Sequence, residues 1–256
     1  MRIVFVGAGR LATNLSQALK EKGHSIVAVY SRTMSSAEAL SHVVGGFPTD
    51  NIATLPLEAD AFILAVKDAV LAELIQQLYE GREGQTFFHT AGSVPMSVFG
   101  CQQHHGVIYP MQTFSKARRV DFSRVPFFIE GSNEATLALA ENIARSVSGN
   151  VRRLSSDDRR YLHLAAVFAC NFANHCYAIS ARVLEKHGLP FSVMLPLIEE
   201  TASKVEDVHP LEAQTGPAVR YDENVIEAQK ALLVDEPLMQ DIYELMSKSI
   251  HQLAND

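Results

Sequence analysis

The sequence lacks the patterns on which metal and disulfide chemistry depend. Its three cysteines, Cys101, Cys170 and Cys176, form no CxxC pair and no zinc-ligand spacing, so a reducing cytoplasm is the expected compartment. The ten histidines are scattered with no HExxH helix, and adjacent loop residues such as His104 and His105 seldom share an ion, so no metal is expected. An excess of positive charge is also missing. The formal net charge is -7, which argues against nucleic acid or an anionic membrane as partner. No leader pattern is expected, because Met1-Arg2 runs straight into an apolar strand. No internal repeat and no low-complexity tract is present. Residues 161–181 lack a charged side chain, about the length of a bilayer span. They include His163, Asn171, Asn174, His175 and Ser180, which are costly in hydrocarbon, so a helix buried inside protein is expected.

The 256 residues, 47% hydrophobic and 20% charged, suit one large or two medium globular domains. Strand-like runs at 3–6, 25–30, 61–66, 86–89, 107–109, 126–129 and 151–154 alternate with helical segments at 11–22, 35–43, 69–79 and 134–147. Strands that are apolar throughout and alternate with helices predict a doubly wound parallel sheet covered on both faces, an α/β Rossmann domain over residues 1–154. After Leu154 the pattern becomes all-helical. Ser155-Ser156-Asp157-Asp158 reads as a helix start. The helix runs to Lys186 before "HGLP", and further helices are expected at 191–208, 223–232 and 237–253. Residues 155–256 thus form the expected helical dimerisation and substrate domain.

The opening stretch "IVFVGAGRLATNL" carries the first chemical signal. Gly7, Ala8, Gly9, Arg10, Leu11 and Ala12 fit G-x-G-x-x-G/A, between a strand and a helix. The first glycine permits the tight turn, the second lets backbone approach a pyrophosphate, and the small last residue lets helix and strand pack closely. The phosphates then face the free amides of the following helix. At the end of the second strand, "VYSRT" places Ser31, Arg32 and Thr33 where an NAD site would carry a carboxylate. A guanidinium flanked by hydroxyls suits a 2′-phosphate, which predicts NADP. Two later strand ends border the same crevice: Ala65, Val66 and Lys67 in "FILAVKD", and Thr90 and Ser93 in "FFHTAGSVP", Ser93 on the substrate side. His89 in the latter is expected to be a core or edge histidine.

Together "GAGRLA", "FILAVKD", "HTAGSVP", "YPMQTFS", "LHLAAVFACNFANH" and "TGPAVRYD" resemble, in this order and over nearly the whole chain, the Rossmann-like proteins with a helical C-terminal domain of unknown function. Many of these are labelled NADP oxidoreductases. The architecture is similar to pyrroline-5-carboxylate reductase, to 6-phosphogluconate and β-hydroxyacid dehydrogenases, and to deazaflavin-dependent NADP oxidoreductases. The resemblance to β-hydroxyacid dehydrogenases implies a lysine and an asparagine one turn apart on the long helix. Asn171 stands for the asparagine, whereas Val167 occupies the lysine position. His163, two turns before Asn171, is the alternative proton donor, with water a third. The group usually carries histidine where this chain has Tyr109, and often one near Gln229. Thr215, Gly216 and Arg220 lie in the turn that, in the reductases, holds a substrate carboxylate. The resemblance, with the small residues Ala165, Ala166, Ala169 and Ala173 on the long helix, also implies a homodimer through the C-terminal helices.

Two functions follow as expectations. One is hydride transfer between NADP(H) and a small carbonyl or imine, with His163 or Asn171 at the reacting end. The other is an NADP-binding sensor or scaffold without turnover, which the missing lysine keeps open. Reduction of a deazaflavin is a third possibility, requiring a flat aromatic-lined site.

Overall fold

The computed structural model describes residues 1–255. Contacts divide the chain into two compact units, Met1–Asn171 and a second beginning at Phe172. All the strands precede Leu154, but the first unit continues into the long helix as far as Asn171.

The first unit contains β1 (Arg2–Val6), α1 (Arg10–Glu21), β2 (Ser25–Tyr30), α2 (Met34–Val44), β3 (Phe47–Thr49), β4 (Ala61–Leu64), α3 (Asp68–Tyr79), β5 (Phe87–His89), β6 (His105–Pro110), β7 (Phe127–Gly131), α4 (Glu134–Val147), β8 (Val151–Arg153) and α5 (Ser156–Ala166). The strands form one sheet in the order β3-β2-β1-β4-β5-β6-β7-β8. The central strands β1, β4 and β5 are buried almost end to end, as expected where helices cover both faces. Against one face, α1 lays down Ala12, Leu15 and Leu19, all at 0% exposure and at helical spacing. Burying each leucine is worth about 2 kcal/mol.

The sheet departs from the expected parallel arrangement at one junction. Each neighbouring pair is parallel except β6–β7, which runs antiparallel. A parallel return needs a long crossover, normally a helix. Residues 111–126 contain only a 3₁₀ turn at Phe122–Arg124, so the chain comes back directly alongside. The sequence pattern also gives no sign of β3. This three-residue strand has proline at its centre, and its position at the sheet edge tolerates the missing donor.

The helix expected after Ser155 is present from Ser156 to Lys186, but it changes pitch. Between α5 and α6 (Ala173–Lys186), Val167–Phe172 forms a π-helical turn. The second unit continues with α7 (Leu195–Asp207), two one-turn helices, α8 (Pro210–Ala213) and α9 (Pro217–Arg220), then α10 (Glu223–Ala231) and α11 (Pro237–Asn255). The short α8 and α9 fall in a segment where the sequence pattern marks only a turn.

The long helix has the length and composition of a bilayer span, but it is not the buried helix expected from its polar residues, since none of its most apolar stretch is buried. Its first turns are tied to the sheet through charge. Arg159 on α5 is 1% exposed, and its Nη1 donates to Glu130 Oε2 on β7 at 2.7 Å. Nη2 donates to the Val94 carbonyl at 2.7 Å, and Ser156 Oγ donates to the same Glu130 oxygen at 2.6 Å. The Met96 amide donates to Ser156 Oγ at 2.8 Å, so strand, helix and the 94–96 loop share one network.

Breaking a buried pair costs most when it strands the more deeply buried charge. Glu130 is 20% exposed and can regain water, whereas Arg159 cannot. Glu130→Ala is therefore expected to lower stability by about 3–5 kcal/mol and Arg159→Met by less. Urea unfolding of the two variants checks the order.

Candidate functional site

The register of the parallel strands brings several strand ends to one level. Val6 pairs with Tyr30 and with Leu64, and Leu64 pairs with His89. The residues that leave the sheet next, Gly7, Ser31, Ala65 and Thr90, therefore emerge side by side. The neighbours β1 and β4 flank the point where strand order reverses, where an open α/β sheet has its crevice. A cleft of about 800 Å³ opens there. Gly7, Ala8, Gly9, Arg10 and Leu11 line it, as do Ser31, Arg32 and Thr33, with Ala65, Val66, Lys67 and Thr90 beside them. Every residue that the sequence assigns to cofactor binding thus borders a single cleft, together with His163.

The glycine turn is shaped by contact with β4. Gly7 has φ +118, and a Cβ on it would lie 2.3 Å from the Ala65 carbonyl oxygen. Its amide donates to the Tyr30 carbonyl at 2.8 Å, which pins the turn to β2 as well. Gly9 is different: an added Cβ would meet only the Ala65 carbonyl oxygen, at an ordinary contact distance of 4.0 Å. Its openness lies on the cleft side, at the start of α1. That helix has no side-chain cap and no acid in its first turn. Its leading amides are free to meet an anion, and the helix dipole favours one.

At the end of β2 the sequence missed one contributor. Ser36, in the first turn of α2, also lines the cleft, and Thr33 Oγ1 donates to its hydroxyl at 2.9 Å. Arg32 is exposed beside them. The cleft's acids, Asp68 and Glu73, belong to α3 instead.

Tyr109, at the end of β6, and His163, on α5, also line the cleft. Tyr109 Oη lies 3.1 Å from His163 Nδ1, with the rings edge to face at 6.0 Å. Gly92 makes room for them, since a Cβ there would lie 2.4 Å from His163 Nδ1 and 3.0 Å from Tyr109 Cζ. Arg159 precedes His163 by four residues, so the docked guanidinium sets the depth at which the imidazole sits. Burial raises the Tyr109 pKa above that of a free phenol, and the Arg159 charge opposes the shift. Asn171 borders a neighbouring pocket together with His163 and Tyr109.

Ser93 is exposed outside the cleft and donates to Asp68 Oδ2 at 2.5 Å. Thr90 Oγ1 donates to the Leu64 carbonyl at 3.3 Å, and its amide donates to the same oxygen at 3.2 Å. His89 is fully buried, its Nδ1 accepting from the Ala91 amide at 3.1 Å. Burial, then the Arg159 charge, lowers its pKa to about 3, so it stays neutral and serves the core. In the second unit, Thr215 and Arg220 are exposed around α9, and Gly216 (φ +106) supplies the turn before Pro217.

The two glycines separate folding from binding. Gly7→Ala is expected to cost about 2–3 kcal/mol through strain at positive φ and collision with backbone, lowering Tm by roughly 5 °C or more. Gly9→Ala is expected to leave Tm unchanged and to weaken nucleotide binding. Thermal unfolding and fluorescence titration of both variants check the contrast.

Residues 1–112 match the Rossmann-like domain family, and residues 125–250 match DUF2520, a domain of unknown function. No curated protein matches the chain significantly. Among solved structures, a Bacteroides fragilis protein assigned as an NADP oxidoreductase is 52% identical, with 98% of each chain covered and a TM-score of 0.94. Two more distant structures share the fold. The imine reductase of Myxococcus stipitatus in complex with NADP+ is 14% identical, covering 100% of this chain and 94% of its own, with a TM-score of 0.72. A pyrroline-5-carboxylate reductase from Coxiella burnetii is 18% identical, covering 99% and 97%, with a TM-score of 0.59. With more than half its residues shared over nearly full length with the Bacteroides protein, the chain belongs to the family of Rossmann-like oxidoreductases that carry a DUF2520 domain.

Proposed function

We propose that this protein is an NADP(H)-dependent reductase that passes a hydride to a small carbonyl or imine. The observation that carries the cofactor assignment is the end of β2. Ser31, Arg32, Thr33 and Ser36 border the cleft where a carboxylate would select the unphosphorylated ribose. Arg32 can form charge-assisted bonds to a 2′-phosphate, and the hydroxyls can donate to its remaining oxygens. The open approach at Gly9 and the bare start of α1 fit the pyrophosphate. The 52% identity to the Bacteroides NADP oxidoreductase supports the same cofactor.

Bound NADPH supplies the hydride, and the protein contributes alignment and a proton. Reduction fits better than alcohol oxidation because Val167, not lysine, occupies the long-helix position that would need a base. His163 lies in the cleft at the reacting end, and Asn171 in the adjoining pocket. Thr215, Gly216 and Arg220 are proposed to hold an anionic substituent of the substrate. The protein is proposed to act in the cytoplasm.

A homodimer completes the reading. Tyr161 and Leu164 on α5, and Phe168 just beyond, are 64%, 52% and 63% exposed, an apolar row along the long helix. A second copy of the chain is the proposed cover.

Arg32→Ala is expected to weaken NADPH binding by about 10- to 100-fold, the loss of one charge-assisted contact, while NADH binding changes little. Isothermal titration with both nucleotides tests this; equal losses for the two would overturn the specificity assignment. Saturable NADPH binding without turnover of keto acids and cyclic imines would favour the sensor. In gel filtration the protein is expected at twice the 28.1 kDa of one chain, and elution as a monomer would remove the dimer.

A further inference from the structure

Beside the cofactor cleft lies a second pocket of about 530 Å³, and Tyr109 and His163 line both spaces. Met111, Leu162, Ala166, Val167 and Cys170 form much of the second pocket's wall, and no Lys, Arg, Asp or Glu lines it. A group that protonates a substrate during hydride transfer must reach the boundary between the two spaces. Asn171 borders only the second.

We propose that Tyr109 is the proton donor of the reaction, with His163 as the positioning residue that holds its hydroxyl and restores its proton. This rests on the reductase reading above and deepens it. Tyr109 is 8% exposed, and its hydroxyl is fixed by the 3.1 Å contact with His163 Nδ1. His163 is backed by Gly92 and carried on the helix that Arg159 docks. Burial keeps the phenol protonated at neutral pH until a stronger base forms beside it. A developing alkoxide or deprotonated amine is such a base.

During reduction the carbonyl or imine carbon gains a hydride, and a C–H bond forms. The π electron pair moves onto the oxygen or nitrogen. The Tyr109 O–H bond breaks, its proton forms the new O–H or N–H bond, and the electron pair remains on the phenolate oxygen. A proton passed from His163 Nδ1 to the phenolate oxygen restores the O–H bond, and the ring takes one from bulk water at Nε2.

The test uses the full-length protein and its Tyr109→Phe variant. NADPH binding is followed by fluorescence, turnover by nicotinamide absorbance with 2-methyl-1-pyrroline and cyclohexanone as probes, and His163 by 15N NMR of histidine-labelled protein. Tyr109→Phe is expected to bind NADPH normally, to lose about 100-fold or more in kcat with little change in KM, and to shift the His163 Nδ1 resonance. His163→Gln, which can still bond the hydroxyl, should retain more activity than His163→Leu. The proposal is overturned by near wild-type kcat in Tyr109→Phe or by an unmoved Nδ1 resonance; NADPH binding by the wild-type protein with neither probe reduced favours the sensor over the reductase. Failure of the wild-type protein to bind NADPH would instead remove the reductase reading itself.

Discussion

The placement of His163 and Tyr109 depends on one buried ion pair. Arg159 places a guanidinium at 1% exposure, bonded to Glu130, the Val94 carbonyl and Ser156. Such a pair adds little net stability compared with a well-packed apolar contact. What it supplies is position. A helix docked by hydrophobic contact alone can slide, whereas a guanidinium bonded to a carboxylate and a carbonyl has one depth and one rotation. His163 inherits both, and through it so does the Tyr109 hydroxyl.

The cofactor end is set by a different constraint, the contact of β1 with β4. Parallel register brings the strand termini to one level, and the absent Cβ at Gly7 lets the turn close onto Ala65. The turn is therefore shaped by backbone contact, with side chains such as Arg32 and Ser36 added to the cleft beyond the end of β2. That division leaves the crevice rigid at the glycine turn and open to variation in the loop side chains.

Much of the cofactor cleft was legible in the sequence because its signals are local. The Gly7–Ala12 turn follows a strand and opens a helix within a dozen residues, and Arg32 directly follows the next strand. The apolar strands announced the sheet for the same reason. The rest depends on long-range partners. Arg159 reads as one more charge at the start of a helix until Glu130, distant in sequence, is seen beneath it. Tyr109 reads as a departure from a histidine pattern until His163 is found against it. Strand β3 is too short and carries Pro48, and the antiparallel β6–β7 pair turns on a connection without a helix, which composition does not mark. Ser93 looked aimed at the crevice from its place after β5, but the chain bends and its hydroxyl is taken by Asp68.

The π turn at Val167–Phe172 has a geometric consequence for the long helix. A π turn carries an extra residue, so α-helical spacing no longer relates Asn171 to His163 across it. A helical wheel drawn straight through the turn therefore misplaces Asn171, which borders the pocket that His163 also lines.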